Sequence, residues 1–207
     1  ASWRTSCNGT PVAEAPSALI YVVEDDAEVS RLVLMALHEF GFLTQAFSDG
    51  ATVLRRLQSE RPDLCVIDLG LPDMDGMELV HEIARRWGCG VLILTAFSQR
   101  ELIEQARDAG ALAYLVKPFQ KSDLVPAVEV ALGRFREMQA LDDEVESLQE
   151  QLETRRVVDR AKGILMDKHG MSEADSFAFV QKTAMNERRT MRSVADDVVS
   201  GQVTPPS

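Results

Sequence analysis

Leu19-Ile20-Tyr21-Val22-Val23-Glu24-Asp25-Asp26 decides the reading of this chain. Five apolar residues in unbroken succession mark a strand buried on both faces, because a half-buried strand would alternate. Three acidic residues follow it at once. Outward from this segment the same unit recurs. Ala27–Phe40 carries apolar residues at helical spacing (Val29, Leu32, Val33, Ala36, Leu37), and Gly41 stands where a helix stop belongs. Strand Phe42–Phe47 and helix Gly50–Gln58 come next, then strand Leu64–Ile67 and helix Met77–Trp87. Strand Val91–Leu94, helix Gln99–Ala109, strand Ala113–Val116 and a helix opening near Ser122 complete the series. Strands alternating with helices five times over imply an α/β domain, a parallel sheet covered on both faces. Right-handed crossovers leave the five-stranded, doubly wound, flavodoxin-like sheet as the expected topology, with functional groups beyond the carboxyl ends of the strands.

The whole chain fits this frame. Its 207 residues are 45% hydrophobic and 27% charged, enough apolar material for a buried core. No apolar run approaches the roughly 20 residues that cross a bilayer. Residues 1–17 have the composition of a disordered head and lack the pattern of a secretory signal. Cys7, Cys65 and Cys89 are too scattered for a disulfide framework or a CxxC metal site. Cys65 and Cys89 read as small buried hydrophobes, in keeping with a reducing cytoplasm.

Polar residues stand where the strands end. Glu24, Asp25 and Asp26 follow the first strand and Asp68 ends the third; in a doubly wound sheet those ends are neighbours. Carboxylates brought together resist ionisation unless a cation joins them, and an oxygen-only set points to Mg²⁺. Thr95 ends the fourth strand with a hydroxyl, and Lys117, followed by Pro118, ends the fifth. An acidic metal site flanked by a lysine and a threonine suits a phosphoryl group, with Asp68 best placed as its acceptor. Taken singly, each of these residues could be a cap, a turn former or strand filler.

Together they resemble the CheY-like receiver domain of two-component response regulators over residues 19–133. The matching motifs are Val22-Val23-Glu24-Asp25-Asp26, Val66-Ile67-Asp68-Leu69-Gly70-Leu71-Pro72-Asp73-Met74-Asp75-Gly76, Leu94-Thr95-Ala96 and Ala113-Tyr114-Leu115-Val116-Lys117-Pro118-Phe119. The resemblance implies that Glu24, Asp25, Asp68 and the Gly70 carbonyl hold Mg²⁺ and that Asp68 takes a phosphoryl group from a sensor histidine kinase. It also implies that Thr95, Ala96 and Lys117 meet the phosphate, and that Thr95 and Tyr114 form a switch pair. Such a protein is not an enzyme beyond acting on its own Asp68. Asp73, Asp75, Gly76 and Glu82 imitate part of a calcium loop, but Leu71 and Pro72 spoil it. His38, His81 and His169 lie singly on helices without ligand-spaced partners.

The fifth helix overruns the receiver. Met138, Leu141, Val145, Leu148 and Leu152 keep a 3–4–3–4 spacing among charged neighbours, the seam of a short coiled coil. So narrow a stripe suits a partner helix, hence a homodimer; the alternative is one amphipathic helix packed on its own domain. Residues 134–154 are therefore read as a coiled-coil linker helix. Residues 155–200 follow as a small three-helix bundle, and 201–207 as a tail. Ser172 with Asp175, and Thr190, supply the caps of the last two helices. Apolar positions from Val158 to Val198, Phe177 and Met191 among them, are expected to form one small core.

Charge separates the two halves. Of 22 basic and 33 acidic residues in the chain, nine and seven lie in 154–207, leaving 13 and 26 in 1–153. The C-terminal segment alone does not repel a polyanion. From charge by itself its basic residues are an ordinary solvated face. The pattern Arg155-Arg156-Val157-Val158-Asp159-Arg160-Ala161-Lys162-Gly163-Ile164-Leu165-Met166, with Glu173-Ala174, Phe177, Ala184-Met185 and Val194-Ala195, resembles the ANTAR domain over roughly 147–200. That family consists of three-helix modules that bind stem-loop RNA in transcription antitermination. The resemblance makes Arg155, Arg156, Arg160, Lys162, Arg188 and Arg189 candidates for RNA contact. A DNA-binding regulator and a protein-interaction adaptor carrying a receiver switch are the other readings these residues leave open.

Overall fold

The computed structural model describes residues 18–96 and 100–205. The expected head, residues 1–17, lies outside them. Five parallel strands, β1 (Leu19–Val23), β2 (Leu43–Phe47), β3 (Leu64–Asp68), β4 (Gly90–Thr95) and β5 (Ala113–Val116), form one sheet in the order β2-β1-β3-β4-β5. This is the doubly wound order expected from the alternation. The register sets Val22 beside Val66, and Val66 beside Leu92. Every residue of β3 and β4 is buried.

Successive residues of each central strand serve opposite cores. Tyr21, Val23, Cys65, Ile67, Val91 and Ile93 meet α2 (Gly50–Leu57), α3 (Gly76–Glu82) and α4 (Arg100–Asp108) through Val53, Leu57, Leu79, Val80 and Ala106. Ile20, Val22, Leu64, Val66, Leu92 and Leu94 meet α1 (Ala27–Glu39) and the start of α5 (Lys121–His169) through Val33, Leu37, Leu124 and Val128. Each such side chain taken fully out of water contributes about 1.5–3 kcal/mol, and β1, β3 and β4 accordingly carry no charged residue short of their carboxyl ends.

Caps fix where the helices start. Asp26 accepts from the Glu28 and Val29 N–H groups at the start of α1, and Asp49 from Thr52 at α2. The segment expected as one helix to Trp87 is α-helical only to Glu82. Ile83–Trp87 then forms a π-helical turn that Gly88 ends in the left-handed region, φ 59°. It sets the Trp87 ring beneath the Arg86 and Arg61 guanidinium groups, 5.5 and 6.0 Å from its centroid. Cys65 and Cys89 are buried as expected.

Helix α5 runs unbroken for 49 residues. The boundaries expected at residues 133 and 154 thus fall inside one helix. No proline follows Pro126 within it, and Gly163 costs only about 1 kcal/mol relative to alanine, too little to break it. Its first turn is held by Asp123, which accepts from the Gln120 N–H at 2.9 Å, so the helix begins before Ser122. Contacts divide the chain into two compact units meeting between Met138 and Gln139. The second contains the rest of α5 with α6 (Glu173–Glu187) and α7 (Met191–Ser200). Val158, Ala161, Leu165, Val180, Ala184, Val194, Ala195 and Val198 form its core. Ser172 and Thr190 cap α6 and α7, as their positions in the sequence predict. Phe177, expected inside, is 42% exposed.

Candidate functional site

The carboxyl ends of β1, β3 and β5 bring Glu24, Asp68 and Lys117 together. Lys117 Nζ lies 2.7 Å from Glu24 Oε2 and 3.0 Å from Asp68 Oδ2, bridging two carboxylates that the chain separates widely. Glu24 and Asp68 are buried; Asp25, one residue on, is exposed. Oxygens of Glu24, Asp25 and Asp68 all lie within 4.8 Å of one another. The third acid of the triplet, Asp26, is spent on capping α1.

Electrostatics follow from this burial. Desolvation pushes the Glu24 carboxyl above its ordinary range, opposed by its hydrogen bond from Lys117 and reinforced by the neighbouring Asp68. Burial disfavours the Lys117 ammonium, yet its bonds to Glu24 and Asp68 outweigh this and hold its pKa above the ordinary value. One ammonium serves two buried carboxylates and the nearby Asp25, so the cluster remains acidic. A hard divalent cation fits such a set, since every donor is oxygen. Gly70 adds to that fit: a Cβ there would sit 3.3 Å from Asp68 Oδ2, so its bare backbone runs close beside the carboxylate.

The loop after β3 is pinned at several points. Asp73 accepts from the Gly50 and Ala51 N–H groups at 3.0 and 2.9 Å, tying the loop to the start of α2. Asp75 caps α3 by accepting from Met77 and Glu78. A Cβ on Gly76 would come within 2.5 Å of Leu69 Cα, so only glycine allows α3 to begin against the loop. The resemblance to a calcium loop at Asp73 and Asp75 is thus accounted for by capping. Sequence reasoning missed both roles: Asp75 stands just before a helical run, the ordinary signal of a cap, whereas Asp73 reaches a helix that starts 23 residues earlier and carries no local signal.

Thr95 is buried at the end of β4, and Ala96 beside it is exposed. The Lys117–Pro118 peptide is cis, and the Lys117 N–H donates to the Thr95 carbonyl at 2.7 Å. Tyr114 stands one strand over, 44% exposed, lining a groove with Ile103, Arg107 and Arg134.

In the second unit the six basic candidates divide. Lys162 pairs with Asp159 and with Glu173 at 2.8 and 2.9 Å, tying α5 to α6. Arg189 pairs with Glu187 and Asp197 and donates to Ser193 Oγ, closing the α6–α7 turn. Arg156 pairs with Glu153 within α5, and Arg155 lies 4.0 Å from Asp159 at an exposed site. Arg160 and Arg188 make no ion pair among the described residues, and Arg188 holds a left-handed backbone, φ 53°, at the end of α6. The seam residues Met138, Leu141, Val145, Leu148 and Leu152 are all exposed along α5.

A doubly wound sheet with an acid pair after β1, an aspartate ending β3, a threonine ending β4 and a lysine ending β5 defines a receiver. The chain belongs to the response regulators: the response regulator receiver domain matches residues 20–129, and the ANTAR domain matches residues 146–199. The transcriptional regulatory protein PdtaR of Mycobacterium tuberculosis is 44% identical over 199 residues, covering 94% of this chain and 97% of its own. The DNA-binding transcriptional regulator NtrC of Escherichia coli is 35% identical over 122 residues, covering 58% of this chain and 26% of its own. Among solved structures, response regulator DrrB of Thermotoga maritima is 31% identical with a TM-score of 0.52, covering 57% of this chain and 54% of that one. The chemotaxis response regulator CheY4 of Vibrio cholerae is 25% identical with a TM-score of 0.53, covering 56% and 98%. Among the described residues no helix is long and apolar enough to cross a membrane.

Proposed function

We propose that this protein is a phosphorylation-controlled response regulator that binds stem-loop RNA and acts in transcription antitermination. The observation that carries it is the Glu24–Lys117–Asp68 cluster in one chain with an ANTAR domain. Asp68 is the phosphoacceptor: its carboxylate attacks the phosphorus of a phosphohistidine on a sensor kinase, forming a P–O bond as the P–N bond breaks and the imidazole leaves with the kinase. Glu24, Asp25, Asp68 and the Gly70 carbonyl hold Mg²⁺, which would neutralise the charge of the phosphoryl oxygens. Lys117 then turns from its carboxylate partners to the phosphate, a group of about −1.5 to −2 charge. Thr95 donates its hydroxyl, Ala96 offers its backbone N–H, and the half-exposed Tyr114 ring turns inward behind Thr95. Two copies pair along the Met138–Leu152 seam and present two modules to two hairpins, so that weak single contacts add as avidity. The protein acts in the cytoplasm.

NtrC, named as DNA-binding, shares 122 residues with this chain, 26% of its own length, so its DNA binding is not carried over to this chain. The test is binding of a tandem-hairpin RNA by the full chain, with and without Mg²⁺ and beryllofluoride. Tighter binding with the analogue is expected. Equal binding in both states severs the RNA role from the receiver, and preference for duplex DNA overturns the RNA reading.

A further inference from the structure

On α5 the residues facing the small core are Val158, Ala161 and Leu165. Continued one to three turns toward the N-terminus, the same stripe changes character: Thr154, Gln151 and Ser147 take the positions that packing would give to apolar residues. There the stripe floors a groove of ≈ 560 Å³, walled by Phe177 of α6 and Met191 of α7, with Glu150 and the Asp159–Lys162 ion pair also in its lining. Phe177 is 42% exposed although its neighbours on α6, Ser176 and Val180, are fully buried. Arg155 stands at the mouth, 83% of its side chain exposed.

The chemistry of this groove selects its occupant. An aromatic face and a thioether offer stacking and dispersion, while three neutral side chains offer donors and acceptors in a row. A partner helix would bring an apolar ridge and bury Thr154 and the Gln151–Ser147 hydrogen-bonded pair with most of their polar capacity unmet. A flat heterocycle satisfies both kinds of wall at once: its face lies on Phe177 and its edge meets the amide and hydroxyls. Arg155 at the rim meets the phosphate such a heterocycle carries. The volume falls within the range of ordinary small-ligand sites. Sequence-specific RNA recognition works in this way, on unstacked loop bases over aromatic rings.

We propose that this groove seats one unstacked nucleobase of an RNA loop, stacked on Phe177 and read along its edge by Gln151 and Thr154. The inference rests on the RNA-binding reading above and gives it a place. It assigns loop readout to neutral and aromatic residues, leaving the arginines to phosphates.

The test uses the full chain with Mg²⁺ and beryllofluoride, and tandem hairpins with randomised loops enriched once on the wild type. Affinity is compared with an uninterrupted RNA duplex of equal length. The wild type prefers the hairpins; Phe177→Ala and Phe177→Leu lose that preference on the order of tenfold or more, while Phe177→Tyr keeps it. A loop 2-aminopurine is quenched by the wild type and by Phe177→Tyr only. Phe177→Leu preserves apolar volume, so a loss shared with Phe177→Ala reports the ring rather than the fold. Retained preference in both variants overturns the base seat and leaves RNA binding standing. A change in self-association by light scattering without a change in hairpin preference also overturns it, assigning the groove to a second copy. A wild type that binds hairpin and duplex alike removes the RNA reading itself, and this inference with it.

Discussion

Two lysines do opposite work in this chain. Lys117 joins carboxylates from β1 and β3 at a buried sheet end, where its loss leaves two acids facing each other. Lys162 joins Asp159 of its own helix to Glu173 of the next, and both of those partners are exposed to solvent. The comparison teaches that the same ion pairs mean different things by location. In water such a pair is worth little and holds two helices in register. In a buried cluster it neutralises charges the fold has no other way to tolerate, so it is poised to be exchanged for another cation or anion.

The sharpest way to break this contrast is Lys117→Met. It is expected to lower stability by about 3 kcal/mol in urea unfolding, with Mg²⁺ recovering part of the loss. An unchanged midpoint would show that Glu24 and Asp68 tolerate each other unaided. Lys162→Met should shift unfolding several-fold less, and added salt should narrow its difference from the wild type further. A loss as large as that at Lys117 would make the α5–α6 tie a core element. The smallest effect concerns Asp73. The Gly50 and Ala51 N–H groups hold its carboxyl below its ordinary 3.8. A depressed folded pKa stabilises above the unfolded value and is lost as pH falls through the folded one. The wild type should therefore lose this contribution below about pH 4, and Asp73→Asn should flatten that acid limb. Parallel acid limbs would show that the cap contributes nothing.

The receiver was legible because its determinants are sequential: unbroken apolar runs such as Leu19–Val23 and Leu64–Ile67 give strands, and their polar ends give the cluster. The burial of Cys65 and Cys89 and the caps Ser172 and Thr190 followed from local pattern as well. The π-turn at Ile83–Trp87 was not legible, since one extra residue in a turn leaves the apolar spacing almost unchanged. Nor were Asp26, Asp73 and Asp75 separable from the metal-holding acids by residue type; only the direction of their hydrogen bonds distinguishes a cap from a ligand. In the second unit, basic character located the candidate surface but not which cations were already paired. Phe177 shows the same limit, because periodicity places it on the inner face while the neighbouring helices stop short of covering it.

Helix α5 belongs to two cores: Leu124, Val128 and Leu132 cover one face of the receiver sheet, and Val158, Ala161 and Leu165 close the bundle. For a chain made from its N-terminus this fixes an order of events. Val33 and Leu37 of α1 can cover part of that face early, but its covering is complete only when residues through Leu132 have emerged from the ribosome. A pause in synthesis before that point would hold a sticky, half-clad sheet in the cell. One after it would release a finished receiver still trailing an unfolded module.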